Sequence, residues 1–249
     1  MHAYGSQAGS TEASALYVDT YYNGSAWQSV GGELIENCLV DQSAGDYGGG
    51  ISLLNEGNTL GLGTTTSGIV RNNTVKNWAG TSAYGFMGKD IQFTGNAAID
   101  CSLFIYGDTG TNDHITISGN TAIVGLGNAA SATGAGGFAF FNKAAGGASF
   151  NNVLIENNTI TVRPAANAYP DVTYGLLLLT GGTPGLASNY VVRNNRVSLD
   201  PRSPATTYSA WELHGVNTIS IYGNSYDRTP VTYFDLTVTN FWLNGVFMH

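Results

Sequence analysis

The sequence predicts an all-β solenoid: a parallel β-helix of about seven coils carrying an asparagine ladder. Three observations predict it. Helical spacing is nearly absent, because Gly or Asn interrupts every candidate window. Seven short β-rich runs share one template, as in GIVRNNTV, DIQFTGNA, HITISGNTA and VLIENNTI. The bends in those runs lie 35, 23, 24, 38, 37 and 29 residues apart, a fixed motif with variable gaps.

Each column of the template has its own physics. The inward apolar position reads Ile35, Val70, Phe93, Ile117, Ile155, Val192 and Ile221. The bend position holds only Asn or Gly: Asn37, Asn72, Gly95, Gly119, Asn157, Asn194 and Gly223. Those two residues tolerate a left-handed backbone, so the column implies a recurrent bend with φ > 0. The next position reads Cys38, then Asn73, Asn96, Asn120, Asn158, Asn195 and Asn224. A side-chain amide carries donors and an acceptor. Stacked amides therefore bond the copies above and below and escape the cost of polar burial. A second strand set lies between the bends: GGISLLN, YGFMG, SLFIYGD, GGFAFFN, YGLLLLTG, SAWELHG and TYFDLTV. Strand, bend, strand and loop with like residues stacking make one coil.

Composition agrees and excludes other classes. Charged residues are 10% of the chain and the formal charge is −8, a balance that argues against nucleic acid and anionic membranes as partners. Hydrophobic residues reach 43%, with 14 Tyr, 10 Phe and 4 Trp, too apolar for disorder. No apolar run nears the ~20 residues of a membrane helix, and no signal peptide is visible at the N-terminus. The organisation expected is an N-terminal segment or incomplete first coil over 1–32, a β-helix over 33–238, and a cap or interface segment over 239–249. Ala15 to Asp19 fits an incomplete first coil, and Phe234 to Phe247 is rich in aromatics. Cys38 and Cys101 fall on different coils and are expected to be free thiols.

The stacked NNT and GNT bends and the Asn column resemble those of the pectate-lyase-like superfamily of single-stranded right-handed parallel β-helices, over about residues 33–238. That resemblance implies a right-handed coil and an extracellular or virion-surface setting, as in polysaccharide-degrading enzymes and phage tailspikes. No catalytic signature of the superfamily carries over: an Asp-Pro-His run is absent, as is the Arg-centred pattern of pectate lyases.

In a β-helix the interior is packed, so chemistry belongs to outward columns and loops. One outward column reads Glu36, Arg71, Thr94, Ser118, Glu156, Arg193 and Tyr222. Its alternating signs read as cross-strand ion pairs, or as a charged groove. In the second strand set, taking Leu53, Phe86, Ile105, Phe140, Leu178, Leu213 and Leu236 as inward leaves Phe104, Tyr106, Phe141, Leu177 and Leu179 outward. That face is too apolar for plain solvent surface. Two readings compete: a sugar-stacking platform of Phe104, Tyr106 and Phe141, or a face covered by a loop or by the neighbouring subunits of a homotrimer. The same alignment stacks Glu212 on Asp235, ~5 Å apart, with His214 alongside. That approaches the ~5–5.5 Å carboxyl separation of a retaining glycosidase; ordinary outward polar residues are the alternative. Asp108 and Asp113, with His114, form an oxygen-rich loop cluster that would suit Ca²⁺, or that serves Asx turns. No other cofactor is implied, and zinc motifs are absent.

Nine cations in a chain of charge −8 favour a neutral or weakly charged glycan over a polyanion. The function expected is binding and cleavage of a polysaccharide by a glycoside hydrolase-like carboxylate pair, Glu212 and Asp235, with His214 assisting. The alternatives are a non-catalytic structural or adhesive β-helix and a polysaccharide lyase.

Overall fold

One turn of the chain shows how the fold is generated. In Lys89–Thr94, Ile91 and Phe93 are buried while Asp90 and Gln92 are exposed, the period-two alternation of a half-buried strand. Gly95 then adopts φ 63° and turns the chain into Ala97–Cys101, whose Ala98 and Cys101 face the same interior. The chain next enters Ile105–Gly107, whose Ile105 and Gly107 are buried as well.

The same three visits recur along the chain. The computed structural model describes residues 15–41, 49–55, 62–77, 82–101, 103–107, 110–124, 138–143, 148–162, 175–180, 186–199, 207–227, 229–234 and 237–248. Within these, three parallel sheets of eight, nine and seven strands are each ordered along the chain, and consecutive strands pass from the nine-stranded to the seven-stranded to the eight-stranded sheet. Like residues sit side by side in register, as in Ile91, Ile115 and Val153 or Phe93, Ile117 and Ile155. This all-β, parallel arrangement is compatible with a β-helix. Among the described residues no helix is long and apolar enough to cross a membrane.

The bend column behaves as its chemistry requires. Asn37, Asn72, Asn157 and Asn194 have φ between 54° and 56°, and Gly95, Gly119 and Gly223 have φ between 63° and 66°. A Cβ on Gly95 would stand 2.7 Å from Asn72 Oδ1, and one on Gly223 would stand 2.5 Å from Asn194 Oδ1. An asparagine at one bend thus leaves room only for glycine at the next at these two places.

The ladder is continuous. The backbone N–H of Cys38 donates to Asn73 Oδ1. From Asn73 onward both the N–H and the Nδ2 of each asparagine donate to Oδ1 of the next, through Asn96, Asn120, Asn158 and Asn195 to Asn224, at 2.8–3.1 Å. The second Nδ2 proton goes to a backbone carbonyl of the preceding strand set, for example Asn120 to Phe93 O at 3.0 Å. Five of these asparagines are 1% exposed, and the burial is tolerated because every polar atom has a partner.

Between the sheets lies an aromatic core. Tyr84 meets Phe93 and Phe104 edge-on, and Phe86 meets Phe150 edge-on, with centroids 5.6–6.2 Å apart, the favoured geometry for such rings. Gly107 fits in this layer because it has no side chain: a Cβ there would stand 2.7 Å from ring atoms of both Phe86 and Phe150 and 2.9 Å from Asn142 Oδ1. Gly107→Ala should therefore destabilise by about 1–3 kcal/mol through overpacking, read as a lower urea midpoint at unchanged slope.

Two of the outermost described strands differ from the rest. Leu16–Val18 pairs with Gly49–Leu53 as the first strand of the eight-stranded sheet. At the other end Thr239–Leu243 joins the nine-stranded sheet, then reverses through Asn244 and Gly245, both at positive φ, into the antiparallel strand Val246–Phe247. Asn-Gly is the favoured hairpin turn, and the reversal occupies the open edge of the parallel ladder.

Candidate carboxylate site on the eight-stranded sheet

The register of the eight-stranded sheet decides what faces outward. Ile51, Tyr84, Ile105, Phe140, Leu177 and Trp211 are neighbours in one inward column. Leu53, Phe86, Gly107 and Asn142 are neighbours in the second, to which buried Leu213 also belongs. The sequence predicts one inward column running from Leu53 and Phe86 into Ile105 and Phe140, which the structure divides between two. The correction has a cause: Gly107 and Asn142 occupy inward positions where an apolar residue is expected, and Asn142 is satisfied there by donating to Tyr190 Oη at 3.0 Å.

Two members of the expected apolar platform consequently belong to the interior. Phe104 is fully buried against Tyr84 and Phe140. It precedes the strand Ile105–Gly107, at a bend, so strand alternation does not set its direction. Leu177 is fully buried beside Phe140 in register. Neither needs a covering loop or subunit. Tyr106 is partly exposed and stands in register with Phe141, as expected of a shared outward column; the side chains of Phe141 and Leu179 lie outside the description.

Farther along the column of Tyr106 stands Glu212, in register between Leu178 and Tyr233. The alignment that stacked Glu212 on Asp235 paired Leu213 with Leu236. The structure pairs Leu213 with Phe234 instead, after a register shift between Ser209 and Trp211. Phe234 suits the position because it packs edge-on against buried Phe241 at 5.3 Å. Asp235 itself lies outside the described residues.

His214 joins Glu212. Residues two apart on an extended chain share a face, and His214 Nε2 lies 3.1 Å from Glu212 Oε1. The two side chains retain 25% and 37% exposure respectively, so solvent or a ligand can reach both. A carboxylate hydrogen-bonded to an imidazole can pass a proton in either direction to a bound oxygen.

The remaining candidates are engaged in the sheet. Arg71 Nε donates to Glu36 Oε2 at 2.7 Å, and Arg193 Nε and a terminal guanidinium nitrogen reach Glu156 Oε2 at 2.7 Å. These are the cross-strand pairs of the sequence reading. Asp113 accepts from Asn152 Nδ2 at 2.7 Å and lies 3.2 Å from His114 Nδ1, while Asp108 falls outside the described residues. Among the described residues no group of three or more His, Cys, Asp or Glu side chains is placed to hold a metal ion. Neither Cys38 nor Cys101 is in a disulfide.

A second left-handed column escaped the sequence reading. Asp90, His114, Asn152, Asn189, Thr218 and Asn240 all have φ between 53° and 67°, each just before a buried apolar residue. Its signal is an Asx-type residue followed by the pattern apolar, any, apolar, as in DIQF, NVLI and NFWL.

Comparison with protein-family models, with curated proteins and with solved structures returns no match.

Proposed function

We propose that this chain is a right-handed parallel β-helix of the pectate-lyase-like kind, with about seven coils, that binds and cleaves a polysaccharide outside the cell or on a virion surface. The observation that supports cleavage is the Glu212–His214 pair, 3.1 Å apart and open to solvent on the outward face that also carries Tyr106. Glu212 is the proton donor or acceptor at the glycosidic oxygen and His214 orients its carboxyl. Asp235, which follows Phe234 by one residue, is the second carboxylate of the reading. The substrate is a neutral or weakly charged glycan. A formal charge of −8 repels polyanions, and Arg71 and Arg193 are neutralised by Glu36 and Glu156.

The test is product release from a panel of plant and capsular polysaccharides. Wild type is expected to release reducing ends without forming UV-absorbing unsaturated uronates, the products of a lyase. Glu212→Gln keeps shape and hydrogen bonding but cannot transfer a proton, so the rate should fall about 10²–10⁴-fold at an unchanged melting temperature. Asp235→Asn should do likewise. Full activity in Glu212→Gln would dispose of the assignment. Release of nothing from any glycan would favour the second reading, a non-catalytic adhesive or shaft-forming β-helix, which the uninterrupted and fully bonded ladder from Asn73 to Asn224 also suits.

A further inference from the structure

We propose a second carbohydrate site, separate from Glu212, in the cleft between Tyr222 and Trp242 at the C-terminal end of the nine-stranded sheet: it binds one ring of a neutral glycan stacked on Trp242. The cleft has a volume of about 510 Å³ and is lined by Ser220, Tyr222, Gly223, Trp242, Asn244 and Gly245. That size lies within the range of small-molecule sites.

The two rings have no part in the core. Ile219, Ile221 and Phe241 supply the inward face here and are buried, whereas Tyr222 is 37% exposed and Trp242 43% exposed. Ser220 and Trp242 are in register, so Trp242 stands one strand beyond and two residues before Tyr222 on the same outward face. Both rings are held in place without a ligand. Trp242 rests edge-on against Phe247, centroids 5.1 Å apart, across the Asn244–Gly245 hairpin. Tyr222 Oη accepts from a terminal nitrogen of Arg193 at 3.1 Å. Rings already ordered lose little freedom on binding. Gly245 keeps the wall low, since nothing lies within 4 Å of where its Cβ would be.

The polar groups of the cleft select the ligand. Ser220 and Asn244 line it, and the Tyr222 hydroxyl, which accepts from Arg193, still has its own proton to donate. Arg193 is paired with Glu156 Oε2 at 2.7 Å, and none of the described residues lining the cleft is charged. An uncharged ligand with an apolar face for an indole and hydroxyls around its edge meets all of these conditions. A pyranose ring is such a ligand.

The test is calorimetry and tryptophan fluorescence with six neutral oligosaccharides (malto-, cello-, laminari-, xylo-, manno- and chitohexaose) and oligogalacturonate as the charged control. At least one neutral oligosaccharide should bind and perturb the fluorescence. Trp242→Ala should weaken that binding at least tenfold. Ser220→Arg, which fills the cleft and leaves the Trp242–Phe247 pair intact, should do the same if Trp242→Ala folds poorly. Glu212→Arg, which blocks the outward face at the proposed catalytic site, should still bind at the cleft as wild type does, which separates the two sites. No binding by any of the six, tightest binding of oligogalacturonate, or binding indifferent to both cleft variants would overturn the proposal. So would sedimentation showing that Trp242→Ala abolishes self-association while oligosaccharide binding is absent, since the exposed Val246 and Phe247 beside the cleft would then be the contact of a second copy.

Discussion

Asn120→Ala should lower the unfolding free energy by at least about 3 kcal/mol, out of a typical total of ~5–15 kcal/mol. The amide of Asn120 donates to Asn158 Oδ1 at 2.9 Å and to Phe93 O at 3.0 Å, and accepts from Asn96 N at 2.8 Å and Asn96 Nδ2 at 3.1 Å. Alanine deprives all four groups of a partner in a layer that water does not reach. Each unsatisfied buried group costs about 1–3 kcal/mol. Asn224→Ala is the control. It ends the ladder and is only partly buried, so water can replace its bonds and the loss should be smaller. Urea unfolding at constant slope measures both. Equal losses at the two positions would mean that the ladder contributes through local bends rather than through stacking.

Raising the pH above about 10 should unfold the protein cooperatively. Tyr84, Tyr190 and Tyr226 are pushed well above the usual phenol range, in each case first by burial. At Tyr84 the neighbouring Cys101 adds to the shift, and at Tyr190 the hydrogen bond from Asn142 partly opposes it. The sign follows from proton counting. Above the ordinary phenol value the unfolded chain releases these protons while the folded chain keeps them, so stability falls as pH rises. The stabilisation is fully present below pH ~10 and is lost at about 1.4 kcal/mol per tyrosine per pH unit above it. For three tyrosines two units suffice to remove about 8 kcal/mol, comparable to the stability of a whole domain. Phenolate absorbance against pH is the measurement. A steep cooperative step above the ordinary phenol range is expected, as Tyr84, Tyr190 and Tyr226 become exposed and ionise together. Smooth titration of every tyrosine with the fold intact would contradict the burial.

The nine-stranded sheet was legible in the sequence because its strands end at a chemical marker. A bend that needs φ > 0 admits few residues, and the next position needs an amide, so the Asn/Gly column and the ladder can be aligned by eye. Every predicted bend residue from Asn37 to Gly223 does adopt positive φ. The eight-stranded sheet has no such marker, and apolar alternation alone set its register. It failed where a small or polar residue faces inward, as at Gly107 and Asn142, and where a bend precedes the strand, as at Phe104. Glu212 and His214 could be joined from sequence because spacing of two on a strand fixes a shared face. The neighbour of Glu212 on the next strand could not, because a one-residue irregularity near Ser209 moves every later pairing. Tyr222 was placed in its column, but the strand of Trp242 lacks the NNT-type bend that would have assigned it to the same sheet.

The proposed cleavage at Glu212 is tested most directly by a crystal structure of Glu212→Gln soaked with an oligosaccharide of the panel that the wild type is found to cleave. The scissile glycosidic oxygen is expected within ~2.6–3.2 Å of the residue 212 side chain, with the sugar lying along the Tyr106 face of the eight-stranded sheet. A scissile linkage bound away from residue 212, on another face of the coil, would contradict it.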